Sequence, residues 1–418
     1  MGNHIYYKLQ FKLLSPMCIG SAISKDTDKD VLLGSDGKPF IPATTIAGRL
    51  SSLCTDEKLK KRLFPEAGEE SAVIVYDALL AENWNPREQL ASRDNVALNQ
   101  YRVANDHTKF DMQCIQPGCL FTGYLELTRE NVDCDIGLQN LLGILAANQC
   151  CFGGKTNRGF GKAELQVWRR SFDMDDVSQK NKWLDFVLLD SQNDPEWNKP
   201  IAVSSSASPD LRITMDLKLI SGLSVRVYRT DASEDETMPD IIPFKVNNMP
   251  AIPGTSWAGT FKHRFRELSD SELEEYAFGY VKTIDEKTVA HASRITFSET
   301  IIEGGSDKKY TRNAIDRFSG KVKDTALFTE ITHYGGTGQL TITLKHGNPE
   351  DYNETLDMKA RNVLAACIAD LSRGFLAVGG LSSVGRGLFH ITGITCSDKD
   401  LEKTIREWAE IREEAAHE

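Results

Sequence analysis

The chain has 418 residues, 40% of them apolar, nine cysteines and a formal net charge of −11 at pH 7. That is enough apolar material for two cores, but no apolar run approaches the roughly 18 residues that span a bilayer, so no membrane partner is expected. No CxxC pair occurs, which argues against a zinc site. An odd number of thiols in a long chain without a signal-peptide pattern reads as reduced and cytoplasmic.

In chain order, residues 4–14 alternate as a strand. Residues 15–39 are a polar, Gly/Asp-rich loop. Thr44 or Thr45 can cap a helix running to about Cys54. Residues 72–83 read as a strand, 85–117 as a polar irregular stretch, Phe121 to Leu127 as a strand, Ile136 to Gln149 as an apolar helix and Ala163 to Trp168 as a closing strand. The order then recurs. Leu211 to Leu219 is a strand, Ser221 to Pro250 a long loop and Trp257 to Arg266 a helix. Residues 299–330 are polar and irregular, Gln339 to Leu344 a strand, Met358 to Leu371 a helix and Phe389 to Thr392 a strand. A charged amphipathic helix is expected from Lys399 to Glu414.

Two motifs mark the recurrence. KPFIPATTIAGRL (38–50) returns as MPAIPGTSWAGTF (249–261), with Pro42 and Pro253 at matching places. Each copy leads to a glycine-rich loop after an apolar helix: Gly153-Gly154-Lys155-Thr156-Asn157-Arg158-Gly159-Phe160-Gly161, and Gly379-Gly380-Leu381-Ser382-Ser383-Val384-Gly385-Arg386-Gly387. The spacing is the length of a domain, too long for a solenoid unit. The chain therefore reads as α+β, two tandem ferredoxin-like (RRM-like) domains. The boundaries are 1–170 and 209–396, joined by an acidic linker at 171–208 and followed by a charged helix at 397–418. Segments 172–199, 231–240 and 398–418 hold the acidic excess, which leaves the domain cores close to neutral and compatible with an RNA surface.

Glycines let a backbone adopt φ > 0 and approach a ligand, and consecutive amides in such turns form anion-binding concavities. Gly153, Gly154, Lys155 and Arg158, with Gly379, Gly380, Ser382, Ser383 and Arg386, are thus candidate phosphate contacts. The same glycines would serve a tight helix-to-strand turn. The helix starts offer a second phosphate site at Thr44-Thr45 and Thr255-Ser256, with Arg49 and Lys262 on the same helices; ordinary capping is the other reading of those hydroxyls. Neither glycine loop fits a Walker or dinucleotide fingerprint, because a helix precedes it. His107, His263, His291 and His333 fit no metal-ligand spacing, and no GxSxG or Cys–His signature occurs.

The order of these motifs resembles the RAMP superfamily, specifically the backbone subunits of type III CRISPR interference complexes, with two backbone domains fused as in type III-D-like systems. Thr311-Arg312-Asn313-Ala314-Ile315-Asp316-Arg317-Phe318-Ser319-Gly320 is similar to the family's thumb segment, and Val96-Ala97-Leu98-Asn99-Gln100 to a weaker counterpart. Ala47 and Ala258 stand where the family usually has a lysine. The resemblance implies guide RNA, target RNA and other effector subunits as partners, with Arg312 and Arg317 among the RNA contacts. It implies a target-cleaving Asp upstream of the IP motif. Asp28, three residues before Val31, matches that position, with Asp26 and Asp30 beside it. In the second half the matching position is Pro239, with Asp240 adjacent.

A carboxylate there can hold a divalent cation, Mg²⁺ or Mn²⁺, against the scissile phosphate, or accept the proton of an attacking 2′-hydroxyl. Asp28 is accordingly the expected metal ligand, although a DTDKD loop also reads as a solvated charged turn. The alternatives are a structural RNA-binding subunit without nuclease activity, a RAMP endonuclease that processes the guide precursor, and an enzyme acting on a phosphorylated small molecule.

Overall fold

The computed structural model describes residues 3–21, 27–66, 68–95, 109–127, 129–147, 150–189, 197, 200–201, 210–228, 239–284, 287–347 and 352–411. The chain divides into two compact units, residues 1–156 with 160–208, and residues 157–159 with 209–418. No helix among the described residues is long and apolar enough to cross a membrane.

The first unit is organised around the strand His4–Leu13. It pairs antiparallel with Leu120–Leu127 on one side and Lys162–Phe172 on the other. Val73–Val75 and Ala78–Leu80 extend the sheet beyond Leu120–Leu127. In chain order the four positions run 2-3-1-4, the ferredoxin-like arrangement. Ile5, Tyr7, Leu9, Phe11 and Leu13 alternate onto one face. There they meet Ile46 and Leu50 of the helix Ala43–Leu53, and Leu138, Leu142 and Leu145 of the helix Asp135–Ala147. Each such side chain removed from water contributes about 1.5–3 kcal/mol.

The opposite face of this sheet is also covered. Tyr6, Trp168, Phe172, Met174 and Trp197 form a separate aromatic cluster, joined by Trp183, Phe186 and Leu188. The segment 171–208, read from composition as a linker, therefore belongs with the first unit. Its acids hid the aromatic residues that hold it there, including the helix Val177–Leu184.

The second unit repeats the strand order, Ile295–Phe297, Thr337–Leu344, Leu211–Leu219 and Phe389–Cys396. Trp257, Phe261 and Phe265 of the helix Gly254–Leu268 pack with Leu364, Ile368 and Leu371 of the helix Glu354–Ser372. The C-terminal helix Lys399–Trp408 adds Leu401 and Ile405 to the same core.

The two polar stretches differ from their irregular reading. In the second unit Ser306–Ile315 and Val322–Tyr334 form one long antiparallel hairpin. Most of Ser306–Ile315 is exposed, so the strand has no buried face and leaves no apolar alternation to read. In the first unit Leu90–Asn95 pairs with Phe110–Ile115. Val96 to Gln100 and His107 lie outside the described residues. Both helices after the IP motifs also start earlier than capping by Thr44, Thr45, Thr255 or Ser256 would require. The cap residues are Pro42 and Pro253, and neither makes a side-chain cap hydrogen bond. Pro42 and Pro253 are extended, as expected of residues whose φ is fixed just ahead of a helix.

Candidate nucleic-acid interface

Asp28 lies beside the returning strand of the first hairpin, near the end of the ladder away from the Leu90–Ile115 pair. Its backbone N–H donates to Asp111 Oδ1 at 2.9 Å, and its own Oδ2 accepts the Asp111 N–H at 2.9 Å. The N–H of Asp28 is also the main reason the Asp111 carboxyl lies below its ordinary range. Lys29 and Val31 continue the contact, as the Gln113 N–H donates to the Lys29 carbonyl and Gln113 Oε1 accepts from Val31. Asp30 faces the other way. It is buried and accepts from the Thr27 N–H and hydroxyl, so it closes the turn. Asp26 lies outside the described residues.

The second unit builds the same junction from different residues. The Asp240 N–H donates to the Thr329 carbonyl at 2.9 Å, and Asp240 Oδ2 accepts the Thr329 N–H at 2.8 Å. Thr329, like Asp111, lies on the returning strand of its hairpin, and Ile241 pairs in parallel with Glu330 one residue on. Asp240, not the sequence-matched Pro239, therefore takes the place of Asp28. The one-residue slip comes from the loop, whose length the alignment of IP motifs does not constrain.

The glycine loops agree in backbone sign residue by residue. Gly153, Lys155, Gly159 and Gly161 have φ of 80°, 58°, 85° and 73°, and Gly379, Leu381, Gly385 and Gly387 have 91°, 56°, 79° and 75°. Four amides in two pairs are donated to protein carbonyls. Gly154 and Gly380 donate to Cys18 and Ser224, both at 2.8 Å, and Gly161 and Gly387 to Pro16 and Gly222, at 2.7 and 2.9 Å. A Cβ at Gly161 or Gly387 would overlap the carbonyl of Phe152 or Val378. Close approach of loop to strand thus explains these glycines, and those four amides are not available to a phosphate.

The loop cations divide. Arg158 is exposed, as are Gly153, Gly154 and Ser383, while Gly379, Gly380 and Ser382 are half-buried. The Lys155 ammonium lies 4.1 Å from the centre of the Phe110 ring, on the returning strand of the first hairpin. Arg386 is 6% exposed and lies between Tyr310, Tyr334 and the buried carboxylate of Glu330 at the foot of the second. Its reading as a phosphate contact gives way to one as a positioning residue that fastens loop to hairpin.

On the helices, Thr44 is exposed and Thr45, Arg49, Thr255, Ser256 and Lys262 are half-buried. Asp77 Oδ1 accepts the Ala43 N–H at 2.7 Å and supplies the missing cap in the first unit, which places a negative charge where an anion was expected. Lys262 lies 3.5 Å from Glu274.

The hairpin of the second unit carries Lys308, Lys309, Arg312, Arg317, Lys321 and Lys323. Arg312 reaches Glu330 Oε1 at 3.0 Å, and Arg317 is exposed in the turn. Asp316 shapes that turn. Its Oδ1 accepts the N–H groups of Ser319 and Phe318 at 2.8 and 3.0 Å; Ser319 first, then Phe318, holds its carboxyl below the ordinary range. The turn presents Phe318 fully to solvent, at 101% relative exposure. Sequence reasoning placed Phe318 in the thumb segment without giving it a role, and passed over Asp111 and Thr329; an aromatic after Asp-Arg was the available signal for the first.

Thiol nucleophiles find little support at three of the cysteines. Burial pushes the Cys119, Cys150 and Cys367 thiols up to about 12, far from nucleophilic. Among the described residues no group of three His, Cys, Asp or Glu side chains forms a metal cluster.

No match was found among curated proteins. The RAMP superfamily profile matches residues 10–164 and 208–390, one region in each unit. RAMP proteins are RNA-binding components of CRISPR systems, some of them endoribonucleases. With both hairpins, both glycine loops and most of both ferredoxin-like sheets inside the matched regions, the chain belongs to the RAMP superfamily.

Proposed function

We propose that the chain is a cytoplasmic guide-RNA-binding backbone subunit of a type III CRISPR interference complex, with two fused backbone domains, and that it cuts complementary target RNA. The observation that carries this reading is the shared placement of Asp28 and Asp240. Each carboxylate is pinned by a backbone N–H of the returning hairpin strand, so each stands at a fixed place relative to a thumb. A thumb that displaces a base relaxes the A-form backbone beside it, and an acid held against its returning strand is then positioned to accept the 2′-hydroxyl proton. The 2′-oxygen attacks phosphorus, the 5′-oxygen leaves, and the products are a 2′,3′-cyclic phosphate and a 5′-hydroxyl.

Mg²⁺ or Mn²⁺ is the proposed cofactor. The adjoining carboxylates of Asp28 and Asp111 suit a hard cation that keeps waters and takes phosphate oxygens for its remaining ligands. When bound it supplies neutralising charge at the scissile phosphate.

The test uses the complex assembled with a guide. Asp28→Asn should remove one cut and Asp240→Asn another, a regular distance away, with assembly intact because Asn keeps the amide-accepting oxygen. Target RNA carrying a 2′-deoxy sugar at the scissile nucleotide should bind normally and resist cutting, and a chelator should stop the reaction. Survival of every cut in the double variant would leave a structural RNA-binding subunit as the correct reading.

A further inference from the structure

The outer face of the first sheet carries a second group of charged and aromatic side chains, outside both hairpins. Lys8 and Arg170 are both buried there, at 5% and 7% exposure. The Lys8 ammonium lies 4.5 Å from the centre of the Trp168 ring. The Arg170 guanidinium lies 4.5 Å from Phe172 and 4.6 Å from Phe186. This face is thus already built to hold cations against rings.

At its edge an open cleft of about 300 Å³ lies between the sheet and the segment that covers it. Tyr6, Tyr76, Trp183 and Phe186 wall the cleft, and Glu126 supplies its carboxylate. The walls are fixed. Trp183 Nε1 donates to Tyr6 Oη at 3.0 Å, and the rings of Tyr6 and Phe186 are 5.1 Å apart. Tyr76 Oη donates to Glu126 Oε2 at 3.1 Å. Among the described residues no cation pairs with Glu126, although Arg170 stands two strands away in the same cross-strand row.

We propose that this cleft binds the guanidinium or ammonium of an arginine or lysine side chain from a partner protein. Aromatic faces around a carboxylate attract an organic cation through the ring quadrupole and the charge together. A nucleotide is the poorer fit, because the described covering residues 172–189 carry four acids against two bases and would repel a phosphate. The site is independent of the proposed cleavage, since it lies on the sheet face opposite the helices and involves neither hairpin.

Ligand-observed NMR titration of the full chain tests it, with n-butylguanidinium and n-butylammonium as probes, the neutral isostere n-butylurea as control and guanosine monophosphate as the nucleotide arm. Both cations should bind saturably and n-butylurea at least several-fold more weakly. Glu126→Gln should weaken the cations about tenfold, the effect of one desolvated charge pair. Glu57→Gln, an equal charge change on an exposed helix, should not. Trp183→Leu gives a second arm that removes a wall and keeps the charge, with an expected loss of similar size. Equal binding of n-butylurea, unchanged cation affinity in both cleft variants, or tighter binding of guanosine monophosphate would each overturn the proposal.

Discussion

Arg386 and Arg312 converge on one oxygen. Glu330 Oε1 lies 3.4 Å from the Arg386 guanidinium, which comes from the glycine loop, and 3.0 Å from that of Arg312 on the neighbouring hairpin strand. Glu330 is 2% exposed, so these partners offset the cost of burying its carboxylate. Arg386→Met should destabilise the second unit by about 3 kcal/mol, the usual cost of leaving a buried charge short of a partner. Glu330→Gln in the same chain should recover part of that loss. Urea unfolding of the single and double variants measures the coupling.

The glycine loop supplies its own control. Gly385 and Gly387 have nearly the same φ, 79° and 75°, but a Cβ at Gly385 meets nothing within 4 Å while one at Gly387 overlaps the Val378 carbonyl. Gly385→Ala should therefore cost about 1 kcal/mol, for backbone conformation alone. Gly387→Ala should cost about 3 kcal/mol or more. Denaturant midpoints compare them, and equal costs would mean that the loop can shift away from the strand.

Acid should loosen the C-terminal helix. Glu402 accepts from Lys399 Nζ, the Cys396 N–H and Arg406 Nε, and Lys399 is the first cause of a carboxyl pKa lowered from 4.5 to about 2. A carboxyl lowered in the folded state stabilises above its unfolded value and loses that contribution as the pH falls. The window here runs from about 4.5 down to about 2. Glu402→Gln should flatten this part of the stability–pH curve, which thermal melts at stepped pH would show.

Phe318 should matter for RNA and not for folding. It touches nothing that its removal would expose, so Phe318→Ser should leave stability within about 0.5 kcal/mol of the parent. If the tip stacks on a base, target affinity should fall by about 1–3 kcal/mol. Parallel melts and filter-binding assays separate the two quantities; unchanged affinity would mean that the tip does not meet a base.

How much was legible can be argued from these same places. Both ferredoxin-like sheets were readable, because Leu9 and Phe11, or Ile213 and Met215, sit on strands with a helix-side core. The hairpins were not readable as strands, since a solvated ribbon such as Ser306–Ile315 has no face to bury. The Asp28 position followed from resemblance. Asp111 could not be found that way, as it lies 83 residues along the chain and meets Asp28 only through folding. The covering segment of the first sheet was misread because Trp183, Phe186 and Trp197 are few among its acids.

The strand Ser306–Ile315 has one further consequence. It pairs with Val322–Tyr334 alone among the described strands, so its outer side is a bare edge offered to any other extended chain. Lysines on an edge are a common defence against such pairing. Lys308 and Lys309 therefore have work to do before any RNA arrives, keeping free copies of the subunit from zipping together edge to edge. Neutralising them should show first as precipitation of the isolated chain, and assembly with RNA should relieve it.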